Sequence, residues 1–456
     1  MPANPASAKP TVADHAAALA AGRTTSRALV ETALARIADP AGEGGRCFIK
    51  VYHQAALAAA EAQDRLRRAG YVASPLAGLP VSIKDLFDAA GERTLAGSKA
   101  LDDAPPAAHD ATIVARLRAS GAIIIGRTNM SEFAYSGVGL NPHYGTPGNP
   151  FDRRRIPGGS SAGAPVSVAD GFAVVAIGTD TGGSVRIPAA FCGTVGFKPT
   201  QHRVPRDGVI PLSPTLDSVG PLANSVACCA ITDAIMAGAP LLLPTPAPVE
   251  GLRLGVPQSL MLDDLDPEVA SAFERACQAL SVAGARLVDL PLVEFAEIDA
   301  LNAKGGLAAP EAYAWHEALI TRRGADYDPR VRTRIERGRP VSAADYVRLC
   351  WRRAELIARV DACTADVDAL IMPTVPLVAP PIAAFARDDE FWRLNTRIVR
   401  NTSIVNFLDR CAISLPIEPP GTIPVGLTAM GRHGEDRRLL SVALGLEAAV
   451  ERDRRR

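Results

Sequence analysis

Ser184 directly follows two glycines in the stretch GTDTGGSVRIPA, which spans 178–189. Glycine pairs are costly inside regular structure, so we expect a turn whose backbone shape matters. The apolar run FAVVAIG at 172–178 predicts a buried strand just before that turn. Backbone N–H groups of 181–184 could then face one space, as an oxyanion hole requires, and the serine could attack a carbonyl held there. A glycine turn that binds a phosphate or another ligand fits the same residues, and both interpretations stay open.

Lys84 ends the apolar run PVSI, and lysine is rare in this chain. Six lysines stand among the 49 basic residues, at 9, 50, 84, 99, 198 and 304. Arginine keeps its proton in a protein, whereas burial can lower the pKa of a lysine from about 10.4 towards neutrality. Lysine could therefore act as a general base here and arginine could not. A lysine at an exposed strand end is the alternative for Lys84 taken alone.

A second serine-rich stretch, GGSSAG at 158–163, contains the pattern Gly-x-Ser-x-Gly of the α/β-hydrolase nucleophile. His202, His316 and His433 follow it as candidate bases. That pattern requires a strand directly before it, and the preceding NPFDRRRIP does not have the composition of a buried strand. We therefore expect one serine of this stretch to lie between Lys84 and Ser184. A lysine that does not touch the nucleophile needs such a hydroxyl to pass the proton.

The composition is that of a well-buried globular protein, with 48% hydrophobic residues among 456. The 49 basic residues balance 49 acidic ones, so no overall field attracts nucleic acid or an anionic membrane, and a small-molecule substrate is expected. The sequence contains neither a signal-peptide core nor an apolar stretch of membrane-spanning length, which predicts a cytoplasmic location. The eight dispersed cysteines favour reduced thiols over disulfides or a metal site.

Segments with helical periodicity alternate with short apolar runs along the chain, which predicts an α/β fold with a largely covered sheet. Helical spacing of apolar residues runs through 12–37 and again through 53–70. We expect residues 1–70 to form a helical segment packed on the core and 71–456 to form the main domain, within one structural domain. The proline-rich segment 238–250 is expected to cross the surface of that domain.

These stretches resemble the amidase signature family. The resemblance is carried by LAGLPVSIKD, IPGGSSAG and, most specifically, GTDTGGSVRIPAAFCGTVGFKPT, and it extends more weakly over nearly the whole chain. It implies a single large α/β domain whose mixed central sheet is covered by helices. It also implies a Ser–cis-Ser–Lys hydrolase that needs no metal and no organic cofactor.

Matched position by position, the family motif puts the nucleophile on Ser184, the bridging serine on Ser160 and the base on Lys84. In the family the bridging serine follows a non-proline cis peptide, which here would join Gly159 and Ser160. The implied mechanism has Lys84 accept a proton through Ser160 while Ser184 attacks the substrate carbon. The implied oxyanion-hole donors are the backbone amides of Thr181, Gly182, Gly183 and Ser184.

The resemblance leaves the substrate open among small molecules with a C–N bond. A small aliphatic or aryl carboxamide is the leading expectation, and hydrolytic deamination of an aminomuconate-type dicarboxylate is the alternative. A dicarboxylate would need a cationic partner, and Arg186 or an arginine of 153–155 could supply it. Arg186 has a structural alternative, which is to brace the loop. The arginines of 153–155 could instead form a solvated face.

Two further functions are compatible with the family. An amidotransferase subunit that supplies ammonia for glutaminyl-tRNA synthesis is usually somewhat longer and tends to carry Gln after the arginine that follows the nucleophile, where this chain reads SVRIPA. A non-catalytic scaffold would have no need of the intact Lys84, Ser160 and Ser184. A homodimer is common among family members and is the assembly that the resemblance implies.

Overall fold

One sheet of eleven strands runs through residues 9–454, the part of the chain that the computed structural model describes. The strands are β1 (Phe48–Val51), β2 (Pro80–Lys84), β3 (Ile123–Thr128), β4 (Val175–Asp180), β5 (Val195–Lys198), β6 (Ser218–Ala223), β7 (Arg253–Pro257), β8 (Arg286–Leu290), β9 (Ala369–Pro373), β10 (Ala412–Pro416) and β11 (Gly426–Met430). Their order across the sheet is β1-β3-β2-β4-β6-β5-β10-β11-β9-β7-β8. Parallel pairs join β2 to β3 and β4, and β7 to β8 and β9, so the sheet is mixed.

Helices cover this sheet. The α-helices among residues 9–454 are α1 (Val12–Ala20), α2 (Ser26–Ala38), α3 (Gly44–Cys47), α4 (His53–Arg68), α5 (Thr112–Ala119), α6 (Gly163–Ala169), α7 (Arg186–Cys192), α8 (Val226–Ala237), α9 (Pro267–Val282), α10 (Glu294–Leu301), α11 (Ala308–Arg323), α12 (Pro329–Glu336), α13 (Ala343–Cys363), α14 (Asp388–Phe407) and α15 (Asp436–Arg454). Short 3₁₀ turns lie at Glu132–Ala134, Gly324–Asp326 and Ile382–Phe385. No helix in the described part of the chain has the length and apolar character needed to cross a membrane.

The central strands are buried along their whole length. Every residue of β2, β3 and β4 is buried, which is why their sequences are mostly apolar and do not alternate between apolar and polar residues. The strand predicted at 172–178 forms, but it begins three residues later, at Val175. The single α/β domain with a mixed, helix-covered sheet that the sequence predicts is confirmed.

The N-terminal segment differs in part from its prediction. The helical pattern at 12–37 folds as two helices, since Gly22 takes a positive φ of 67° after α1, and α2 starts anew behind the N-cap Thr25. This segment is not wholly helical, because β1 pairs antiparallel with β3 at the edge of the sheet. Residues 1–8 of the predicted segment lie outside the described residues.

Candidate active site

Lys84 is the last residue of β2 and its side chain is fully buried. Strands β2 and β4 are parallel neighbours, with Ile83 opposite Ile177, so their carboxyl ends meet at one edge of the sheet. This register brings Lys84 Nζ to 2.8 Å from Thr179 Oγ1. The same nitrogen lies 2.8 Å from Ser160 Oγ. The buried amine is thus held between two hydroxyl groups.

The surroundings of Lys84 favour its neutral form. Burial lowers the pKa of Lys84 to about 7, while the carboxylates of Asp217 and Asp180 act in the opposite direction. A large fraction of the amine is therefore unprotonated near neutral pH. A neutral amine can accept a proton from a hydroxyl partner, since a serine or threonine hydroxyl is both donor and acceptor. Lys84 and Ser160 consequently have the geometry of a base and a proton relay.

Ser160 lies in the loop between β3 and α6, and the Gly159–Ser160 peptide bond is cis, as the family resemblance implies. The Ser131 N–H donates to the Ser160 carbonyl at 2.9 Å, and the Gly159 N–H donates to the Gly137 carbonyl at 2.8 Å. A Cβ at position 159 would lie 2.6 Å from the Gly139 nitrogen, so the loop needs glycine there. These contacts fix the backbone that presents the Ser160 hydroxyl to Lys84.

Ser184 lies on the turn between β4 and α7, as predicted, and is 6% exposed. The preceding Gly183 has φ 126°, and a Cβ there would lie 2.1 Å from Thr402 Oγ1, so only glycine fits. The Ser161 N–H donates to the Ser184 carbonyl at 3.4 Å, which places the two serine segments side by side. Among residues 9–454, no hydrogen-bond partner is found for Ser184 Oγ.

The backbone amides of this turn only partly match the predicted oxyanion hole. The Gly183 N–H donates to Asp180 Oδ1 at 2.9 Å, so this group is already engaged, and its prediction as a free donor is corrected. In the described part of the chain, the N–H groups of Thr181, Gly182 and Ser184 have no acceptor. Three of the four predicted donors are therefore free to bind a developing negative charge.

Arg186 is fully buried and braces the turn that carries Ser184. Its Nε and Nη2 donate to the Asp180 carboxylate at 3.1 and 3.0 Å, and Nη2 also donates to the Thr402 carbonyl and to Asn406 Oδ1. Burial would raise the pKa of Asp180, but Arg186 and the other partners lower it to about 2. The structure favours the bracing interpretation of Arg186 over binding of a substrate carboxylate.

The three arginines of 153–155 are also paired with acidic side chains. Arg153 donates to both oxygens of Asp170 at 2.9 Å. Arg154 donates to Asp152 at 3.0 Å, and Arg155 lies 3.6 Å from the same carboxylate. These contacts favour the interpretation of 153–155 as a solvated, internally paired face.

The Gly-x-Ser-x-Gly stretch at 159–163 is not a nucleophile elbow. All residues between β3 and β4 are described and none of them forms a strand of the sheet, so no strand precedes this stretch. His316 Nδ1 is hydrogen-bonded to the Tyr327 hydroxyl at 2.8 Å, and His433 Nδ1 to the Asp409 carbonyl at 3.0 Å. Both histidines are thus held by partners other than the serines.

Two contacts of the site were not predicted from the sequence. The first is the hydrogen bond between Lys84 Nζ and Thr179 Oγ1. A parallel pairing of the two predicted strands would have placed these residues close together. Asp217 accepts a hydrogen bond from Thr181 Oγ1 at 2.5 Å and from the N–H groups of Leu212 and Ser213. Burial raises the pKa of Asp217 to about 6, against the effect of these donors. Its position beside the turn depends on a chain reversal that local patterns do not specify.

A cavity of about 400 Å³ opens beside this carboxylate. It is lined by His202, Val204, Pro205, Arg206, Asp207, Val209, Pro211, Pro214 and Asp217. Asp217 links the lining of this cavity to the turn that carries Ser184, because it accepts the hydrogen bond from Thr181. Within residues 9–454, no group of three or more His, Cys, Asp or Glu side chains could hold a metal ion.

The chain is similar to known proteins over most of its length. The family model for amidases matches residues 28–440. A 2-amino-5-chloromuconic acid deaminase from Comamonas testosteroni is 40% identical over 96% of this chain and 96% of its own length. A glutamyl-tRNA(Gln) amidotransferase subunit from Chloroflexus aggregans is 36% identical over 95% of this chain and 94% of its own length. A crystal structure of an amidase matches with a TM-score of 0.87 at 34% identity, covering 96% of this chain and 99% of the other.

Proposed function

The chain belongs to the amidase family of C–N hydrolases, and from that premise we propose that it releases ammonia from a small substrate through Ser184, Ser160 and Lys84. Ser184 is the nucleophile, Ser160 the proton relay and Lys84 the base. The observation that carries the proposal is the 2.8 Å hydrogen bond between Lys84 Nζ and Ser160 Oγ in a fully buried setting. A buried amine paired with a hydroxyl is arranged to exchange a proton rather than to hold a charge.

The mechanism follows from these roles. Neutral Lys84 takes a proton from Ser160, which takes one from Ser184, and Ser184 Oγ bonds to the substrate carbon. The free N–H groups of Thr181, Gly182 and Ser184 stabilise the negative charge that develops on the substrate. The proton then returns through Ser160 to the leaving nitrogen, the C–N bond breaks, and water releases the product from Ser184.

For the substrate we propose an amino-substituted muconate-type acid, in preference to the small carboxamide expected first from the sequence. Support comes from the 40% identical relative, which is named as a deaminase of such an acid. An enamine of this type tautomerises to an imine, whose carbon can accept Ser184 while its nitrogen takes the serine proton through Ser160 and becomes NH2. Transfer of a proton from the adjacent carbon to this nitrogen releases ammonia and leaves an enol ether on Ser184, which water hydrolyses to the carbonyl product and free Ser184. The net reaction converts an imine and water to a carbonyl compound and ammonia. A small carboxamide is the second candidate, favoured by the 34% identical amidase.

We place the protein in the cytoplasm and expect a homodimer. The compartment is supported by the cysteines, all eight of which are free thiols. The assembly is tested by measuring the mass of the purified protein in solution, where a monomer would overturn this part of the proposal.

The test of the function is ammonia release by the purified protein from aminomuconate-type acids, small amides, urea derivatives and glutamine. Release from one class, abolished in Ser184→Ala, is the expected result. Ser161→Ala is the control, because Ser161 is a buried serine of the adjacent segment whose hydroxyl donates to the Thr179 carbonyl and has no role in the proposed proton transfer. Substantial turnover by Ser184→Ala would contradict the assignment of Ser184 as the nucleophile. Ammonia release from amides alone would contradict the proposed muconate-type substrate.

A further inference from the structure

The outer face of α13 carries an apolar stripe that no other element covers within residues 9–454. Its members recur at spacings of three and four residues and are all exposed: Ala344, Val347, Trp351, Ala354 and Ala358. Trp351 is 66% exposed, whereas Val360, nine residues later and therefore on the opposite side of the helix, is fully buried. The helix is thus apolar towards the core and also towards solvent, although a surface helix is ordinarily polar on its outer side.

Helix α10 lies beside α13 and widens this face. Arg359, towards the end of α13, donates to Glu297, in the first turn of α10, at 2.7 Å. Lys304, just beyond the end of α10, lies 3.2 Å from Asp345 in the first turn of α13, so the two helices are antiparallel. The outward positions of α10 and its flanks are also apolar and exposed: Val293, Ala296, Ala300 and Ala303. A contiguous exposed apolar face of this kind is typical of a contact with another protein chain.

Two charges on one flank of the stripe complement each other across a two-fold axis. Arg348 and Glu355 are exposed and lie two turns apart on that flank. When two copies of one helix pack antiparallel about a two-fold axis, residues at equal distances on either side of the axis face each other. With the axis between Trp351 and Arg352, Arg348 of each copy therefore faces Glu355 of the other.

Neither charge is held strongly within its own chain. Arg348 lies 3.6 Å from Asp345, and Glu355 lies 3.0 Å from Arg352. Ion pairs at a surface contribute little to stability, because water and side-chain entropy oppose them. Both residues can therefore pair with a second copy at small cost.

The same two-fold arrangement also packs the apolar stripe. Trp351 of one copy lies beside Trp351 of the other at the axis. Val347 lies level with the interval between Ala354 and Ala358 of the second copy, so a larger side chain faces two small ones. Helices that pack in this way insert each apolar side chain into a hole between residues of the facing helix. One register thus satisfies the charges and the packing together.

We propose that the outer face of α10 and α13 binds a second copy of this chain, with the two α13 helices antiparallel across a two-fold axis next to Trp351. The proposal rests on the homodimer proposed above and goes further, since it assigns the interface. A second copy is favoured over a protein of another sequence because the stripe and its flanking charges complement themselves. A tryptophan at the centre of an interface typically supplies a large part of the binding free energy.

The test measures the dimer dissociation constant by sedimentation velocity of the full chain over a range of concentrations. Trp351→Glu is expected to raise this constant about 100-fold or more, because it removes the central aromatic side chain and introduces a buried charge. A parent protein that is monomeric throughout would overturn the proposal and would favour a partner of another sequence on this face. A dimer unaffected by Trp351→Glu would overturn the assigned interface.

Exchange of the two flanking charges tests the register. Arg348→Glu and Glu355→Arg each place like charges opposite one another, twice per dimer, so each alone should raise the dissociation constant about 10-fold. The double variant restores opposite charges and should return to the parent value. A double variant that dimerises no better than the single variants would contradict the antiparallel arrangement.

Leu242→Glu is the matched control. Leu242 is also 66% exposed, but it lies between α8 and β7, where its carbonyl accepts a hydrogen bond from Arg437 of α15. Its dimer dissociation constant should equal that of the parent. Equal weakening in Leu242→Glu and Trp351→Glu would contradict a specific role of the α13 face. Unfolding curves of each variant establish that the compared proteins are folded.

The catalytic roles are tested independently of this interface. A fluorophosphonate that fails to label Ser184 in the parent protein would contradict the catalytic roles, and the sedimentation comparison does not depend on turnover. Conversely, normal labelling of Ser184 together with a dimer unaffected by Trp351→Glu would contradict the interface alone.

Discussion

Lys84 and Lys198 are both buried lysines at the carboxyl end of a strand, and they differ in the groups that surround the amine. Lys84 is bonded to the hydroxyls of Ser160 and Thr179, both at 2.8 Å. Lys198 donates to the carbonyls of Pro199 and Arg410, both at 2.9 Å. Burial lowers the pKa of both amines.

The difference lies in what the partners can do with a proton. A hydroxyl can donate to a neutral amine as well as accept from a charged one, whereas a carbonyl can only accept. Lys84 can therefore exchange a proton with Ser160. Lys198 instead links the end of β5 to the backbone at Arg410. Burial by itself does not distinguish the two lysines, whereas the proton chemistry of their hydrogen-bond partners does.

The largest expected effect is on turnover. Lys84→Met should lower the rate of ammonia release by about 10²–10⁴-fold, because the base is lost. Lys84→Arg should be equally inactive, since arginine keeps a positive charge but does not give up its proton. The measurement is the steady-state rate of ammonia release with whichever of the tested substrate classes the parent protein hydrolyses. Activity of Lys84→Arg near that of the parent would remove the base role from Lys84.

Lys198→Met should affect stability instead. The carbonyls of Pro199 and Arg410 would lose their buried donor, so the free energy of unfolding should fall by about 1–3 kcal/mol. Turnover of the folded variant should remain at the parent level. Denaturant unfolding measures the first quantity and ammonia release the second. If Lys198→Met lost most of its turnover at unchanged stability, the proposed difference in role between Lys84 and Lys198 would be wrong.

Thr179→Val tests the second hydroxyl on Lys84 without changing the size of the side chain. The hydroxyl accepts from the charged amine and so favours the protonated form; its removal should lower the pKa of Lys84 further. The acid limb of the pH–rate profile should move to lower pH, with a decrease in kcat of about tenfold from the looser position of the amine. A shift of the limb to higher pH would contradict this role.

The smallest effect concerns stability and pH. Burial holds the pKa of Lys84 at about 7 in the folded protein, against about 10.4 in the unfolded chain. The cost of the buried charge is fully present below pH 7 and disappears as the pH rises towards 10. Relative to the parent, Lys84→Met should therefore be more stable below pH 7 than above pH 10, and this advantage should shrink steadily as the pH rises from 7 to 10. A stability advantage of Lys84→Met that grows as the pH rises would contradict this prediction.

Much of this site was accessible from the sequence because its parts carry local signals. The glycine pair located the turn of Ser184, the choice of lysine marked position 84, and the missing strand before 159 ruled out the nucleophile elbow. The family resemblance, rather than any local signal, implied the cis peptide bond at Gly159–Ser160 that the structure contains.

Contacts made across the chain were not accessible in the same way. The engagement of Gly183 N–H by Asp180 depends on the exact path of the turn. The burial of Arg186 against Asn406 depends on the packing of α14, which lies more than 200 residues away in sequence. The strand β1 was missed because four residues at a sheet edge carry little periodicity. In each case tertiary packing decided among roles that the residue types left open.

The central claim is that neutral Lys84 activates Ser184 through Ser160, and the pH dependence of Ser184 labelling by a neutral fluorophosphonate tests it most directly. In the parent protein the labelling rate should rise with pH along a limb whose apparent pKa is about 7. Lys198→Met should keep this limb, and Lys84→Met should lose it together with most of the rate. Lys84→Met labelling with the parent profile would contradict the account.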